Sequence, residues 1–332
     1  MRNDLLVFAV ILALLLIAPL VIYPVFLIKV LCFALFATAF NLLIGYVGLL
    51  SFGHAMFFGF AAYVAAHLIK VGTISLPFGA GHWLTIPLAP QTPEIALLVA
   101  TLVAAFMGLL VGLVAIRRQG IYFAMVTLAL AQMVYFICVK SSFTGGEDGI
   151  QGVPRRPLFG AISLERDLNL YYFVLAVFVI GFLIIYRTIN SPFGQVLKAI
   201  RENEPRAISL GYRVDQYKLL AFVISAALAG LAGATKSIIF PASLTDAQWQ
   251  MSGEVVLMTL VGGMGTVLGP FAGAAIIVTM QNYLKGWGEW VLVIQGCIFV
   301  ITVMLFRRGV IGEIAALATK HGDKAPKAQP AE

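Results

Sequence analysis

Apolar stretches of about 20 residues recur along the whole chain, and they constrain its fold more than any other feature. About eight can be read, at residues 5–22, 25–44, 49–68, 95–116, 121–139, 170–186, 219–239 and 290–305. A helix of about 20 mainly apolar residues crosses the hydrocarbon core of a bilayer with all its backbone groups hydrogen-bonded. Only 11% of the residues are charged and 61% are hydrophobic, which is unlike a soluble domain. The sequence therefore predicts an all-α, polytopic transmembrane helix bundle.

Residues 255–284 form a further apolar stretch that is too short for two full spans. The distribution of charge requires this stretch to begin and end on the same side of the membrane. Glycines at 262, 263, 265 and 269, followed by Pro270, mark a turn in its middle. We therefore expect a pair of short or broken helices, shielded by protein or lining a wet cavity. The expected architecture is about eight full spans plus one broken helix pair.

The basic residues indicate the orientation of the chain. If both termini, the 117–118 turn and the 187–218 loop share one side, that side carries the whole net charge of +7. The positive-inside rule makes that side cytoplasmic. We expect a bacterial inner-membrane protein with a transmembrane domain over 1–312 and a polar, disordered cytoplasmic tail over 313–332. The first apolar stretch is expected to be a retained helix rather than a cleaved signal. The basic charge thus reports membrane topology and gives no indication of nucleic-acid binding.

No catalytic constellation is present in the sequence. It contains no phosphate-binding G-x-x-x-x-G-K-[ST] loop and no His or Cys spacing typical of a metal site. The three cysteines, Cys32, Cys138 and Cys297, are scattered within apolar stretches. We expect a non-catalytic protein that holds no cofactor and no metal.

Carboxylates are placed in loops and at span ends, as with Glu94, Glu147, Asp148, Glu254 and Glu289. Ion-coupled carriers usually hold ionisable groups inside the bundle, because those groups couple the ion to the solute. Their scarcity here favours an external energy source. An ion-coupled secondary carrier of small polar solutes remains the alternative.

The 187–218 loop is the segment best suited to grip a cytosolic partner. Ser191 and Pro192 are a helix start, Asn203 begins a second helix, and Gly211 is a typical helix stop. Apolar residues at 193, 196, 197 and 200 form one stripe. The two short helices would expose Arg201, Glu202, Glu204 and Arg206. Mixed charge favours docking on a protein over an interfacial helix lying on anionic lipid.

Small and polar residues within the spans have two readings. Gly265, Gly269 and Gly273 recur at every fourth position, which is typical of close helix packing. Polar side chains inside the spans either satisfy a neighbouring helix or line a solute pathway. The pathway candidates are Asn41, Ser51, His54, Gln132 and Gln281, with Thr127 and Thr279 beside them.

Three segments of this sequence, at 41–66, 199–234 and 262–273, resemble the branched-chain amino acid ABC transporter permease family. The first reads NLLIGYVGLLSFGHAMFFGFAAYVAA, and the last reads GGMGTVLGPFAG. The segment TGGEDG at 144–149 is similar to the larger, M-type subunit of that family. The sequence departs from the family pattern at Leu50, at Ala61 and at Thr235-Lys236. Lys236 lies near the outer end of its expected span, where its side chain could snorkel.

The resemblance implies an importer built from four kinds of component. A periplasmic binding protein delivers the solute to two homologous permeases, and two cytosolic P-loop ATPases drive transport. Residues 202–211 would form the coupling helix, with Ala207, Leu210 and Gly211 touching the ATPase and Arg201 and Glu202 orienting it. The expected solutes are branched-chain or related amino acids, and a urea or amide importer of the same type is the alternative.

Overall fold

The computed structural model describes residues 2–77, 83–87, 90–160, 162–288 and 290–305. The expected tail at 313–332 lies outside them. Helices dominate the described part of the chain: α1 (Arg2–Ile17), α2 (Pro24–Asn41), α3 (His54–Lys70), α4 (Pro93–Ala115), α5 (Ile121–Lys140), α6 (Asp167–Asn190), α7 (Pro192–Glu202), α8 (Glu204–Ser209), α9 (Val214–Ser237), α10 (Leu244–Ala247), α11 (Trp249–Gly262), α12 (Gly269–Leu284) and α13 (Trp290–Leu305). A π-helical segment, Leu42–Val47, continues α2, and short 3-10 turns lie at Ala18–Leu20, Ser142–Thr144, Gly146–Asp148 and Lys285–Trp287.

One small sheet was not expected from the sequence. Strands β1 (Thr73–Pro77) and β2 (Trp83–Pro87) pair antiparallel between α3 and α4. The alternating segments TISLP and WLTIP are typical of strands, but they are short and lie between much longer apolar stretches. The all-α bundle is otherwise confirmed.

Among the described residues, five helices are long and apolar enough to cross a bilayer. They are α2 with its π-helical continuation, α4, α5, α6 and α9. Three other expected spans coincide with α1, α3 and α13, which have 16, 17 and 16 residues. Because these helices are shorter than the usual length of about 20 residues, the count of about eight spans stays a prediction.

Helix α2 is the centre of the bundle. It packs against α6, α9, α11 and α12, and 89% of its most apolar window is buried. In α4 and α5 only 33% of that window is buried. Large apolar side chains such as Leu98, Leu102 and Phe106 of α4 point outward instead. Large apolar side chains that point away from the bundle are typical of helices surrounded by lipid.

The expected broken helix pair is present. Helices α11 and α12 have 14 and 16 residues, pack against each other and against α2, and are joined by a turn at 263–268. At about 1.5 Å per residue, each reaches most of the way across a core of about 30 Å. The turn lies on the same side of the bundle as the 187–218 loop, which we call the loop face. The side that carries β1, β2 and α10 is called the strand face.

Two glycines allow α11 and α12 to cross closely. A Cβ atom on Gly273 would lie 1.8 Å from the Met258 carbonyl oxygen, and one on Gly262 would lie 1.9 Å from the Gly269 carbonyl oxygen. Gly269 contacts its own turn, since its Cβ would lie 2.1 Å from Thr266 Oγ1. Gly265 has a φ of 79°, a left-handed conformation that favours glycine. Close packing therefore depends on Gly273 and Gly262, whereas Gly265 and Gly269 shape the turn.

We expect Gly273→Ala to destabilise the protein, because its methyl group would overlap backbone that cannot move aside. Overpacking of this kind costs about 1–3 kcal/mol. The matched control is Gly253→Ala in α11, where a Cβ would have no atom within 4 Å. Thermal unfolding in detergent measures both. An equal midpoint for the two variants would contradict close packing at Gly273.

Candidate functional site

Two capped helices form the loop as the sequence predicts. The Ser191 hydroxyl accepts a hydrogen bond from the Gly194 N–H at 3.3 Å, and Asn203 Oδ1 accepts one from the Arg206 N–H at 3.0 Å. Each cap satisfies a backbone donor that a helix start leaves unpaired. Helices α7 and α8 therefore begin at the residues that the sequence indicated.

The apolar stripe of α7 fixes the loop to the bundle. Leu197 is fully buried, and Ile200 is buried together with Ala207 and Val214 in a small separate core. The Phe193 ring stacks on the ring of Tyr217, with centroids 5.6 Å apart. The loop is thus a folded unit seated on the start of α9.

Gly211 ends α8 in the left-handed conformation, with a φ of 88°. Its N–H donates to the Ile208 carbonyl at 2.9 Å, and the Tyr212 N–H donates to the Ala207 carbonyl at 3.2 Å. These two bonds satisfy the last carbonyls of the helix in the Schellman arrangement. A Cβ at Gly211 would touch nothing within 4 Å, so backbone conformation alone disfavours other residues here.

Two of the expected contact residues support the loop instead of facing outward. Glu204 Oε1 accepts from Lys218 Nζ at 2.6 Å and from Gln119 Nε2 at 3.1 Å, which ties α8 to α9 and to the turn after α4. Ala207 is only 3% exposed. The placing of Ala207 at a partner surface is therefore corrected, because Ala207 is packed in the small core. Glu204 is half-buried and held by an ion pair, and its contact with a partner stays a prediction.

The outward surface of the loop consists of other residues. Ile208 and Leu210 are 56% and 69% exposed, and Glu202 and Arg206 are exposed beside them. Apolar side chains held this openly by a rigid, capped turn form a surface suited to a protein partner. We call Glu202, Arg206, Ile208, Leu210 and Gly211 the loop tip.

Arg201 links the loop to the interior of the bundle. Its guanidinium donates a hydrogen bond to the Gly45 carbonyl oxygen in the π-helical segment. Although the residue is exposed overall, this end of the side chain points inward. The expectation that Arg201 orients an ATPase from the rim is untested, and the contact with Gly45 gives it a role within this chain.

Asn41, at the end of α2, binds the backbone of the 263–268 turn. Its Nδ2 donates to the Thr266 carbonyl at 2.8 Å, and its Oδ1 accepts from the Gly265 N–H at 2.9 Å. Gly45 allows this approach, since a Cβ there would lie 2.7 Å from the Gly265 nitrogen. The end of α7, the π-helical segment and the turn between α11 and α12 therefore meet at one place. We call these residues the junction: Asn41, Gly45, Arg201, Gly265 and Thr266.

The remaining pathway candidates on the loop-face half of the bundle are buried and bonded within it, although His54 Nδ1 has no hydrogen-bond partner among the described residues. His54 Nε2 lies 2.9 Å from the Ser225 hydroxyl, which itself donates to the Ala39 carbonyl at 2.6 Å. Both side chains are fully buried. Ser51 is also fully buried, and its hydroxyl accepts from the Gly53 N–H at 3.2 Å. His54 and Ser225, like Asn41, join neighbouring segments, whereas the Ser51 bond is local to the turn before α3.

Other polar candidates are dispersed. Thr127 is buried and donates to the Ala124 carbonyl of its own helix at 2.9 Å, and Gln132 is half-buried on α5. Near the strand face, Gln281 Nε2 donates to Glu254 Oε2 at 3.1 Å, and Thr279 lines a cavity.

Ionisable groups are more deeply placed at the strand face than the sequence suggested. Lys236 is 8% exposed and pairs with Asp246, which is 2% exposed and caps α10 through the Ser243 N–H at 3.3 Å. Lys236 does not need to snorkel, because Asp246 provides a buried counter-ion. The sequence S-x-x-D at 243–246 is a recognisable helix-capping signal. The sequence does not show, however, that Asp246 pairs with Lys236.

Apolar helices of spanning length, a structured loop seated on α9 and a broken helix pair together suit a membrane transport permease. The sequence model of the family described as "Branched-chain amino acid transport system / permease component" matches residues 23–303. The chain belongs to this family.

Similar proteins include the high-affinity branched-chain amino acid transport system permease protein LivM of Salmonella typhimurium, 28% identical over 298 residues. That match covers 82% of this chain and 65% of the relative. A probable LivM of Methanocaldococcus jannaschii is 27% identical over 57% of this chain and 56% of its own. The ribose import permease protein RbsC of Bacillus subtilis is 33% identical over 40% of this chain and 42% of its own. No solved structure matches the chain.

Asn41→Ala should loosen the 263–268 turn, because it leaves the N–H of half-buried Gly265 and the carbonyl of half-buried Thr266 without their partner. The expected cost is about 1–3 kcal/mol. Asn190→Ala is the matched control, since Asn190 is exposed and makes one bond, to the Tyr186 carbonyl. Thermal unfolding and protease cleavage at 263–268 should change in the first variant only. Protection of the turn in Asn41→Ala would show that the amide does not hold it.

Proposed function

We propose that this chain is the membrane-spanning permease subunit of an ATP-binding cassette importer for branched-chain or related amino acids. Family membership and the names of the LivM relatives support the class and the solute. The observation that carries the proposal is the loop tip, an exposed apolar and charged surface on a rigid turn. Its junction contacts connect that surface to the broken helix pair.

The geometry suggests how a separate ATPase subunit would act on this bundle. A cytosolic ATPase bound to the loop tip would move α7 and α8 as one body, since the small core and the Glu204–Lys218 pair hold them together. Arg201 would pass that displacement to Gly45, and Asn41 would pass it to the turn at Gly265. ATP hydrolysis is assigned to separate P-loop subunits, so this chain would itself be non-catalytic.

The other proposed partners follow from the class. A periplasmic binding protein would deliver the solute at the strand face, and a homologous second permease would complete the pathway within the bacterial inner membrane. The ion-coupled carrier remains a weaker alternative. Lys236 and Asp246 neutralise each other within the described structure, which gives them little freedom to bind and release an ion. The ribose permease relative supports the importer class while leaving room for other polar solutes, including urea and amides.

The proposed orientation places the loop face in the cytoplasm, with both termini on that side. Ser163 and Gln195 are exposed on opposite faces of the bundle. In a cysteine-free background, Ser163→Cys should react with an impermeant maleimide added to intact cells. Gln195→Cys should react only after the cells are permeabilised. The reverse pattern would overturn the orientation.

Gly211→Val should uncouple the importer, because a β-branched residue opposes the left-handed helix stop by about 1–2 kcal/mol and tilts the loop tip. The matched control is Gly152→Val, since Gly152 also has a positive φ of 63° and open space but lies at the strand face. In proteoliposomes containing this chain and its co-purifying subunits, leucine uptake and solute-stimulated ATPase should fall together, by about tenfold, in Gly211→Val alone. Full uptake and ATPase binding in Gly211→Val would contradict coupling through this loop.

A further inference from the structure

A cavity of about 630 Å³ opens at the strand face, where three segments that are distant in the chain meet. Its lining residues lie at 21–29, which includes the start of α2, at Phe240 after α9, and at 279–283 near the end of α12. Cavities of a few hundred cubic ångströms with a few placed polar groups are typical of ligand sites. None of the functions assigned so far uses this space.

The wall of this cavity carries one cation and two neutral hydrogen-bond donors. Lys29 is the only charged side chain among the described lining residues, and it is half-buried. Thr279 and Asn282, which are three residues apart on α12, add a hydroxyl and an amide. Together these three side chains can donate hydrogen bonds to a group with several acceptor oxygens, such as a phosphate.

Lys29 differs from the other half-buried and buried lysines near the ends of the bundle in lacking an acidic partner. Lys236 pairs with Asp246 and Lys218 pairs with Glu204, whereas Lys29 forms no salt bridge within the described part of the chain. Its ammonium lies 5.8 Å from the centroid of the Phe33 ring. A cation placed within a membrane bundle is costly and usually has a functional partner. The charge is therefore free to meet an anion in the cavity.

The mouth of the cavity is apolar and aromatic. Val21 and Tyr283 are 85% and 79% exposed, and Ile22 and Tyr23 are exposed beside them. Tyrosines are enriched at the interface between membrane and water, where one end of the ring is apolar and the other is wet. Exposed apolar side chains around a cavity mark a surface that an apolar partner covers. In a membrane bundle, lipid acyl chains are such a partner.

We propose that this cavity binds the headgroup of an anionic phospholipid, with the phosphate at Lys29, Thr279 and Asn282. The acyl chains lie along the apolar mouth, at Val21 and Tyr283. A zwitterionic lipid fits less well, because no carboxylate among the described lining residues can meet its ammonium group. Free phosphate has the same charge chemistry but leaves the mouth uncovered. Basic pockets between transmembrane helices bind anionic headgroups in this way.

The bound lipid joins segments that the chain itself connects only over long distances. Its headgroup touches the start of α2 and the end of α12, two helices that pack against each other. A ligand that binds only the folded state stabilises that state. The inference goes beyond the proposed function, because it concerns a structural lipid and does not depend on which solute is carried.

The test measures lipid binding to the delipidated full chain in dodecyl maltoside, by native mass spectrometry and by thermal unfolding. The probes are dioleoyl phosphatidylglycerol, dioleoyl phosphatidylethanolamine and glycerol phosphate, which is a headgroup without acyl chains. Phosphatidylglycerol should bind and raise the unfolding midpoint, whereas the other two probes at equal concentration should leave it unchanged. Lys29→Met should weaken phosphatidylglycerol binding by about tenfold or more, because it removes a hydrogen bond between charged groups.

Matched variants separate this site from general attraction of lipid to basic residues. Lys140 is also at the strand-face end of a spanning helix, but it is exposed and lines a shallow apolar hollow on α5. Lys140→Met should change phosphatidylglycerol binding by less than about twofold, since exposed ion contacts are weak. Lys29→Arg keeps the charge and should retain most of the binding.

The inference is overturned if phosphatidylethanolamine binds as tightly as phosphatidylglycerol, or if Lys29→Met behaves like Lys140→Met. Equal stabilisation by glycerol phosphate would also overturn it, because the site would then hold a soluble phosphate. If Lys29→Met does not fold, Lys29→Gln and the selectivity of the wild-type chain between the two lipids decide the question.

Discussion

A turn between two short helices has to satisfy its own backbone, because a bilayer offers no water to do so. The 263–268 turn meets this constraint through the side-chain amide of Asn41, which both donates to and accepts from it. Gly45 is small enough to let the two segments meet, and its carbonyl receives Arg201. The arrangement of α2, α7, α11 and α12 around one point depends on these few bonds.

The polar residues discussed here lie mainly towards the two faces of the bundle, the loop face and the strand face. At the loop face they fasten segments to each other, as His54 and Ser225 fasten α3 to α9 and α2. At the strand face, Lys29, Thr279 and Asn282 border a cavity. Between these ends α2 presents aromatic residues, with Phe36 stacked on Phe58 and Phe40 set edge-on to His54. The aromatic packing of α2 thus connects the loop face with the strand face.

Sequence patterns succeeded wherever the controlling interaction is local. The starts of α7 and α8, the left-handed stop at Gly211 and the turn between α11 and α12 follow from caps, glycines and apolar spacing within one short segment. They failed wherever a partner is distant in the chain. From the sequence, Glu204 was an exposed acid and Lys236 a residue that could snorkel. In the structure, Lys218 of α9 pairs with Glu204, and Asp246 of α10 pairs with Lys236.

The sequence alone determined that this chain is a helical membrane bundle with a broken helix pair and a structured loop, because apolar length, charge placement and helix caps act over short distances. Tertiary structure alone decided that Arg201 meets Gly45 and that Asn41 meets the 263–268 turn, across about 160 and 220 residues of chain respectively. Contacts of that kind depend on how helices distant in sequence pack against α2, and no local pattern of residues encodes such packing.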